Sequence, residues 1–190
     1  MLFTLMPAAV SADYGEQLVP LASVKAWLRV DHDDEDELLA MLRDSSIDLI
    51  EQYSNLSLGP TVDREAWFDG FGARMRVGVG PVAGLSVTGI EYVDANGEDA
   101  SIDAGGWRVD ASGGLIPAGG ASWPSGAMSV TVKFAAGFPA GRCPAALKQA
   151  VMMFAAYLYE NREALAVSGM TGEVPPGVEA ICQRYRMPVL

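Results

Sequence analysis

The chain has 190 residues, of which 50% are hydrophobic, and carries 13 Lys and Arg against 24 Asp and Glu, for a formal net charge of -11. That size suits one domain, or one domain with an insertion, and the apolar content suffices for a real core. The negative net charge argues against a protein that binds nucleic acid tightly, because tight binding needs clustered Lys and Arg side chains that contact the phosphates. It remains compatible with a conduit through which DNA slides, since an acidic wall does not hold phosphates.

The first residues, MLFTLMPAAVSA, imitate a signal peptide in their apolar run and small residues. They lack a basic first region and Pro7 breaks the apolar run, so no secretion is expected. No stretch approaches the ~20 apolar residues that span a bilayer, which argues against a membrane protein. Cys143 and Cys182 form neither a CxxC pair nor a disulfide framework, which favours reduced thiols in a cytoplasmic protein.

Apolar residues recur at helical spacing in two segments that follow this start. The first predicts a short helix through Leu21, Val24 and Leu28. The second predicts a longer helix from about Asp34 to Ser54. We therefore expect an N-terminal helical pair over residues 20–56.

Between residues 59 and 137 the sequence changes to Gly, Pro and short alternating runs. Turn signals such as Asn96-Gly97 and Gly113-Gly114 separate these runs. We interpret the region as a small antiparallel sheet or barrel inserted between helices. The predicted strands are TVDREAWF, RMRVGVG, LSVTGIEYVD, GWRVD, GGLIP and MSVTVKFAAG.

Helical spacing returns over residues 143–166, where a long core helix is predicted with Pro144 in its first turn. This helix is apolar over more than one stripe, so it lies centrally in the core or packs against another subunit. A short helix and a tail follow over residues 174–190. The predicted fold class is therefore α+β: a mainly α-helical bundle with an inserted small antiparallel β-sheet or barrel and a C-terminal helical tail, in a single domain of residues 1–190.

The acidic cluster VDHDDEDE was tested as a metal site. A calcium loop starting at Asp31 would have Asp36 in place of the obligatory glycine and Leu42 in place of the bidentate glutamate. The better interpretation is a helix start, in which Asp33 or Asp34 caps the second helix and the next carboxylates lie in its first turn.

Other chemistry is equally poorly supported. The single histidine, His32, excludes the common two- and three-histidine metal sites and would have to serve any Ser-His-Asp arrangement alone. GVGPVAG satisfies neither phosphate-loop spacing. The sequence therefore indicates neither an enzyme nor a cofactor.

Two longer stretches carry more information. LASVKAWLRVDHDDEDELLAMLRDSSIDLIEQYSNLSL contains a short helix ending in Leu-Arg-Val-Asp, an acidic break and a helix that closes near Tyr53. VTVKFAAGFPAGRCPAALKQAVMMFAAYLYENRE contains a last strand, an Ala-Gly-aromatic turn and a long helix that closes on Tyr-x-x-Arg-Glu. A Tyr-Arg pair ends the stretch from Pro176 to Arg186. In this order the stretches resemble the head-tail connector (adaptor) proteins of long-tailed bacteriophages and gene transfer agents.

The resemblance implies a structural protein with no cofactor and no catalytic activity. Such a protein is a subunit of a ring, dodecameric in the assembled particle, that docks beneath the portal protein and extends the DNA channel. DNA passes through without specific binding, and a stopper or tail completion protein assembles on the ring. It would assemble in the host cytoplasm and reside in the neck of a virion or virion-like particle.

Two sets of contact residues are expected. The C-terminal segment mixes Arg, Tyr and apolar residues, as interface hot spots do, and is expected to reach the portal. The acidic break and the end of the long helix are expected to contact neighbouring subunits. The portal set is Arg184, Tyr185, Arg186, Met187, Pro188, Val189 and Leu190, and the subunit set is Asp33, Asp34, Asp36, Tyr159, Arg162 and Glu163.

Two alternatives stay open at this point. One is a stopper or tail completion protein of the same particle, which would share the ring but not the portal contact. The other is a non-viral protein-binding module that uses its strand region to hold a partner.

Overall fold

The computed structural model describes residues 2–161 and 174–187 of the chain. The chain divides into two compact units. The strand-rich unit comprises the described residues of Met1–Val10, Pro60–Phe138 and Met187–Leu190. The helical unit comprises those of Ser11–Gly59 and Pro139–Arg186.

The helical unit is built from five described α-helices. They are α1 (Tyr14–Leu18), α2 (Leu21–Leu28), α3 (Asp36–Ser54), α4 (Ala145–Glu160) and α5 (Pro176–Tyr185). The long helices α3 and α4 pack on each other most extensively, and α2 and α5 each pack on both. Left-handed residues end two of the helices, Arg29 after α2 and Asn55 after α3.

Apolar side chains from four of these helices form the core of the unit. Burying such surface supplies most of the favourable free energy of folding, at ~25 cal/mol per Å². The most deeply buried are Val24, Leu39, Ile47, Ile50, Leu147, Val151 and Val178.

The strand-rich unit contains an open antiparallel sheet in the order β1-β2-β7-β3-β4, and β5 and β6 form a separate antiparallel pair. Along β7 the side chains alternate, so that Val130, Val132 and Phe134 are buried while Thr131 and Lys133 are partly exposed. One sheet face therefore carries the core. The strands are β1 (Phe3–Leu5), β2 (Thr61–Phe68), β3 (Ser86–Val93), β4 (Asp99–Ser101), β5 (Trp107–Val109), β6 (Leu115–Pro117) and β7 (Ser129–Ala136).

The α+β class is confirmed, but its details differ from the expectation. The described strands form no closed barrel, because β1 and β4 are the two edges of the main sheet. A mainly helical bundle is not confirmed either, since helices and strands form two separate units. RMRVGVG forms no strand; within it, Met75 makes an isolated bridge to Leu115. That the chain acts as a single connector domain stays a prediction.

Candidate functional site

The acidic segment, residues 31–37, connects α2 to α3 in the helical unit. Lys25 of α2 reaches into it and pairs with Asp33 Oδ1 at 2.6 Å and with Asp36 Oδ1 at 2.7 Å. The hydrogen bond from Lys25, supported by its charge, lowers the pKa of the Asp33 carboxyl. Two of the three Asp carboxylates expected to contact a neighbouring subunit thus have a cation within their own chain.

The capping prediction is wrong. α3 begins at Asp36, its N-cap is Glu35, and no side chain caps it with a hydrogen bond. The Asp33 carboxylate instead accepts a hydrogen bond from the Lys25 ammonium, which joins two opposite charges. The acidic first turn is observed, with Asp36 and Glu37 at the positive end of the helix dipole.

Asp34 is the most exposed of the three Asp residues, Asp33, Asp34 and Asp36, that belong to the predicted subunit set. Its side chain is 95% exposed, and His32 Nδ1 is 4.0 Å from its Oδ2. The His32 side chain is itself about half exposed at 49%, on the surface. Asp34 is therefore the member of this set best placed to meet an external cation.

The end of α4 is tied to the acidic segment within the same chain. The Tyr159 hydroxyl donates a short hydrogen bond to the Glu35 carboxylate. This bond assigns Tyr159 an internal role in addition to the predicted intersubunit one. Arg162 and Glu163, the other predicted contacts at this helix end, lie outside the described residues.

The C-terminal segment begins within the last turn of α5. Arg184 and Tyr185 are exposed, whereas the Arg186 guanidinium lies 5.3 Å from the centroid of the Tyr53 ring. Met187 lines a cavity of about 260 Å³ in the strand-rich unit, together with Val77 and other residues. Pro188, Val189 and Leu190 lie outside the described residues.

Within residues 2–161 and 174–187, no group of three or more His, Cys, Asp and Glu is placed to hold a metal ion. None of the helices in these ranges has both the length and the apolar character to cross a bilayer.

Comparison with known proteins identifies the family. A family model described as head completion protein matches residues 17–188, nearly the whole chain. The chain belongs to the head completion protein family. The resemblance to head-tail connector proteins seen in the sequence is thereby confirmed.

Several solved structures similar to this chain come from gene transfer agent particles. A chain in the neck of an empty particle, computed with C6 symmetry, is 30% identical, with a TM-score of 0.69. A chain in the neck of a native particle, computed with C12 symmetry, is 29% identical, with a TM-score of 0.67. Both matches cover 100% of this chain and 97% of the other. A comparison with curated proteins gives no match.

Sequence reasoning missed several polar contacts between the helices of the helical unit. The buried Arg43 of α3 bonds to Glu16 of α1 and to Asp44, the latter at 2.8 Å from its Nε. The Tyr53 hydroxyl donates to Glu179 Oε1 at 2.8 Å, which joins α3 to α5. Glu16 is far along the chain from Arg43, as Tyr53 is from Glu179, so neither spacing nor periodicity signals these two pairs.

Proposed function

We propose that this protein is a structural adaptor of the particle neck, forming a ring beneath the portal that extends the DNA channel and joins the DNA-filled head to the next connector or tail. The ring is dodecameric in the assembled particle. The observation that carries the proposal is the similarity over the full length of the chain to proteins in the necks of gene transfer agent particles. Family membership independently supports a structural, non-enzymatic role.

The charge of the chain supports passage of DNA rather than its capture. A formal net charge of -11 repels the phosphate backbone and lets it slide past without sticking. The stopper or tail completion protein would then dock on the face of the ring away from the portal.

Electron microscopy of particles from cells that lack the gene tests the adaptor role. We expect DNA-filled or leaking heads beside free tails, and whole particles after complementation with the wild-type gene. Joined, infectious or transfer-competent particles without the gene would contradict the proposal.

The C-terminal segment is the proposed portal contact. Arg184 and Tyr185 are exposed at the end of α5, and an Arg-Tyr pair is typical of interface hot spots. Arg184→Glu combined with Tyr185→Ala should abolish binding to purified portal protein while the isolated chain stays folded. Arg142→Glu changes the same charge at another exposed position of the helical unit and should leave binding intact. Undiminished binding of the double variant to the portal protein would contradict this assignment.

The subunit contact proposed at the acidic segment predicts salt-dependent assembly. Charge reversal at Asp34 should weaken assembly at low ionic strength, because exposed charges are screened by added salt. Reversal of Asp33 or Asp36 should also release Lys25, so Asp34→Lys is the cleaner variant. If Asp34→Lys does not affect assembly, the acidic segment has a role only within its own chain.

A further inference from the structure

Three arginines lie close together on the strand-rich unit, and we call Arg74, Arg76 and Arg108 the arginine patch. Arg108 belongs to β5 and stands opposite Ile116 of β6. On the other side of β6, Leu115 is bridged to Met75 by two hydrogen bonds, of 2.7 and 3.1 Å. Arg74 and Arg76 flank this bridge. Three chain segments thus run side by side.

Side-chain alternation places the patch on the outer face of these segments. Met75 is 0% exposed and Leu115 is 2% exposed, and both belong to the core of the strand-rich unit. Arg108 alternates with the partly buried Trp107 and Val109 of β5, and Arg74 and Arg108 are exposed while Arg76 is partly exposed. Two strand spacings, ~10 Å, separate Arg108 from the other two, within the reach of arginine side chains.

Direct contacts bring two of the side chains over the turn that joins β5 to β6. The Arg74 stem crosses Gly114, where an added Cβ would lie 2.7 Å from Arg74 Cγ and Cδ. The Arg76 Nη2 lies 3.4 Å from the Ser112 hydroxyl. Gly114 therefore provides the room through which the Arg74 side chain passes.

The patch has an excess of positive charge. Arg74 pairs with Asp110 at 2.8 Å. Among residues 2–161 and 174–187, no carboxylate lies within ion-pair distance of Arg76 or Arg108. Three guanidinium groups facing one carboxylate leave two uncompensated positive charges on a strongly acidic chain.

The acidic segment of the helical unit carries the opposite charge. Lys25 forms ion pairs with Asp33 and Asp36, and the Tyr159 hydroxyl donates a hydrogen bond to the Glu35 carboxylate. Asp31, Asp34 and Glu37 are exposed, and no Lys or Arg in the described part of the chain pairs with them. Because guanidinium groups bind carboxylates in a bidentate fork, these groups suit the patch.

We propose that the arginine patch of one copy binds the acidic segment of a neighbouring copy, an assignment that rests on the ring proposed above. The contact joins two different surfaces, so it is heterologous, and repetition of a heterologous contact closes a ring when the rotation fits. A self-complementary surface would instead give a two-fold dimer. The contact would also orient successive copies during assembly, because complementary charges steer association.

Charge reversal on each side tests the contact in particles made by cells that lack the chromosomal gene. Arg76→Glu with Arg108→Glu reverses the patch and keeps the pair of Arg74 with Asp110. The patch variant should reduce joined particles by about tenfold or more, since each contact in the ring then opposes like charges. Arg142→Glu is the control, and circular dichroism of each purified chain verifies folding.

The matching variant reverses the acidic segment. Asp31→Lys with Asp34→Lys replaces two of the three exposed carboxylates that lack a Lys or Arg partner by cations and keeps the pairs of Lys25. This variant alone should fail as the patch variant does. Both reversals in one chain should restore assembly.

Co-expression separates a contact between copies from a contact within one chain. Each defective variant supplies the charge that the other lacks, so alternating copies in an even-numbered ring pair correctly at every contact. We expect joined particles when both variants are present. Failure of co-expression together with rescue by the combined chain would overturn the intersubunit contact and place it within one chain.

The remaining outcomes distinguish a wrong adaptor function from a wrong assignment of the patch. If the wild-type gene fails to restore joined particles, the adaptor function itself is wrong. If the wild-type gene works and the patch variant works equally well, only the patch assignment is wrong. If the patch variant fails while the segment variant assembles normally and gives no rescue, the patch binds something else, with DNA phosphate as the first candidate, and the proposal is overturned.

Discussion

The Tyr14 hydroxyl of α1 donates a 2.6 Å hydrogen bond to Glu51 Oε1 of α3 and accepts a 2.8 Å bond from the Gly59 N–H. The same Glu51 oxygen accepts from the Leu58 N–H at 2.6 Å. Burial, followed by the nearby Glu51 charge, raises the pKa of the Tyr14 hydroxyl far above its ordinary value. One phenol thus connects the start of the helical unit to the chain that follows α3.

Tyr14→Phe should destabilise the helical unit by about 1–3 kcal/mol, because it leaves a partly buried carboxylate and a backbone N–H without their shared partner. Denaturant unfolding of the full chain measures the loss. Tyr157→Phe is the control, since Tyr157 is 40% exposed on α4. Equal unfolding midpoints for wild type and Tyr14→Phe would show that the hydroxyl contributes nothing.

Gly84 of the strand-rich unit should not tolerate a side chain. An added Cβ would lie 1.9 Å from the Gly137 carbonyl oxygen, which is backbone and cannot rotate away. Gly84→Ala should therefore cost about 1–3 kcal/mol or more, as overpacking does.

A second glycine in the same unit gives the matched comparison. An added Cβ at Gly89 of β3 would have no atom within 4 Å. Gly89→Ala should be neutral or stabilise by about 0.5–1 kcal/mol, because alanine loses less backbone entropy in a strand. Thermal unfolding should give Gly84→Ala a midpoint clearly below the wild-type value and Gly89→Ala a midpoint at or above it. Similar losses for both variants would contradict the steric argument.

The two cysteines should be inert in the folded chain. Both thiols are buried, and burial raises the pKa of Cys143 and of Cys182 to about 11. At pH 8 we expect a thiol reagent such as Ellman's reagent to react slowly with the native protein and to count two thiols after denaturation. Rapid reaction of the native chain would mean that at least one thiol opens readily to solvent.

Long local patterns were the most predictable part of the fold. The run TVDREAWF predicted β2, and the structure gives Thr61–Phe68. The longest helix was placed two residues too early at its start and correctly at its end, Ser54. Periodicity over many residues determines such elements, because one face must be buried along the whole length.

Short strands were missed because their partners are distant. β1 has three residues, and Phe3 is paired with Phe68 of β2, with ring centroids 5.4 Å apart. Its sequence resembles a leader peptide, and only the sheet makes it a strand. β4 has the same length and was missed for the same reason. Pairing rather than propensity determines both strands.

The candidate contact surfaces were only partly predictable. The sequence indicates an acidic segment, but it does not reveal that Lys25 of α2 engages two of its carboxylates. The arginine patch has no sequence signal either, since Arg108 is far along the chain from Arg74. Both depend on how the chain folds back on itself, which residue spacing does not encode.

Asp110 lies at the β5 end of the turn beneath the arginine patch. Its carboxyl group should make the stability of the fold depend on pH. Its Oδ1 accepts from the Ser112 hydroxyl and N–H and from the Gly114 N–H. These hydrogen bonds, with the nearby Arg74, lower the pKa of the Asp110 carboxyl from 3.8 to about 2. Because the pKa is lower in the folded state, the stabilisation is complete above about pH 4 and is lost as pH falls towards about 2.

Asp110→Asn should therefore lower the unfolding midpoint at pH 7, and the difference from wild type should shrink between about pH 4 and about pH 2. Thermal unfolding of both chains over this pH range measures the difference. Asp103→Asn, at an exposed position of the same unit, is the control and should follow wild type at each pH. A difference between Asp110→Asn and wild type that stays constant from pH 7 to about pH 2 would show that the loss comes from altered packing and not from the ionised carboxylate.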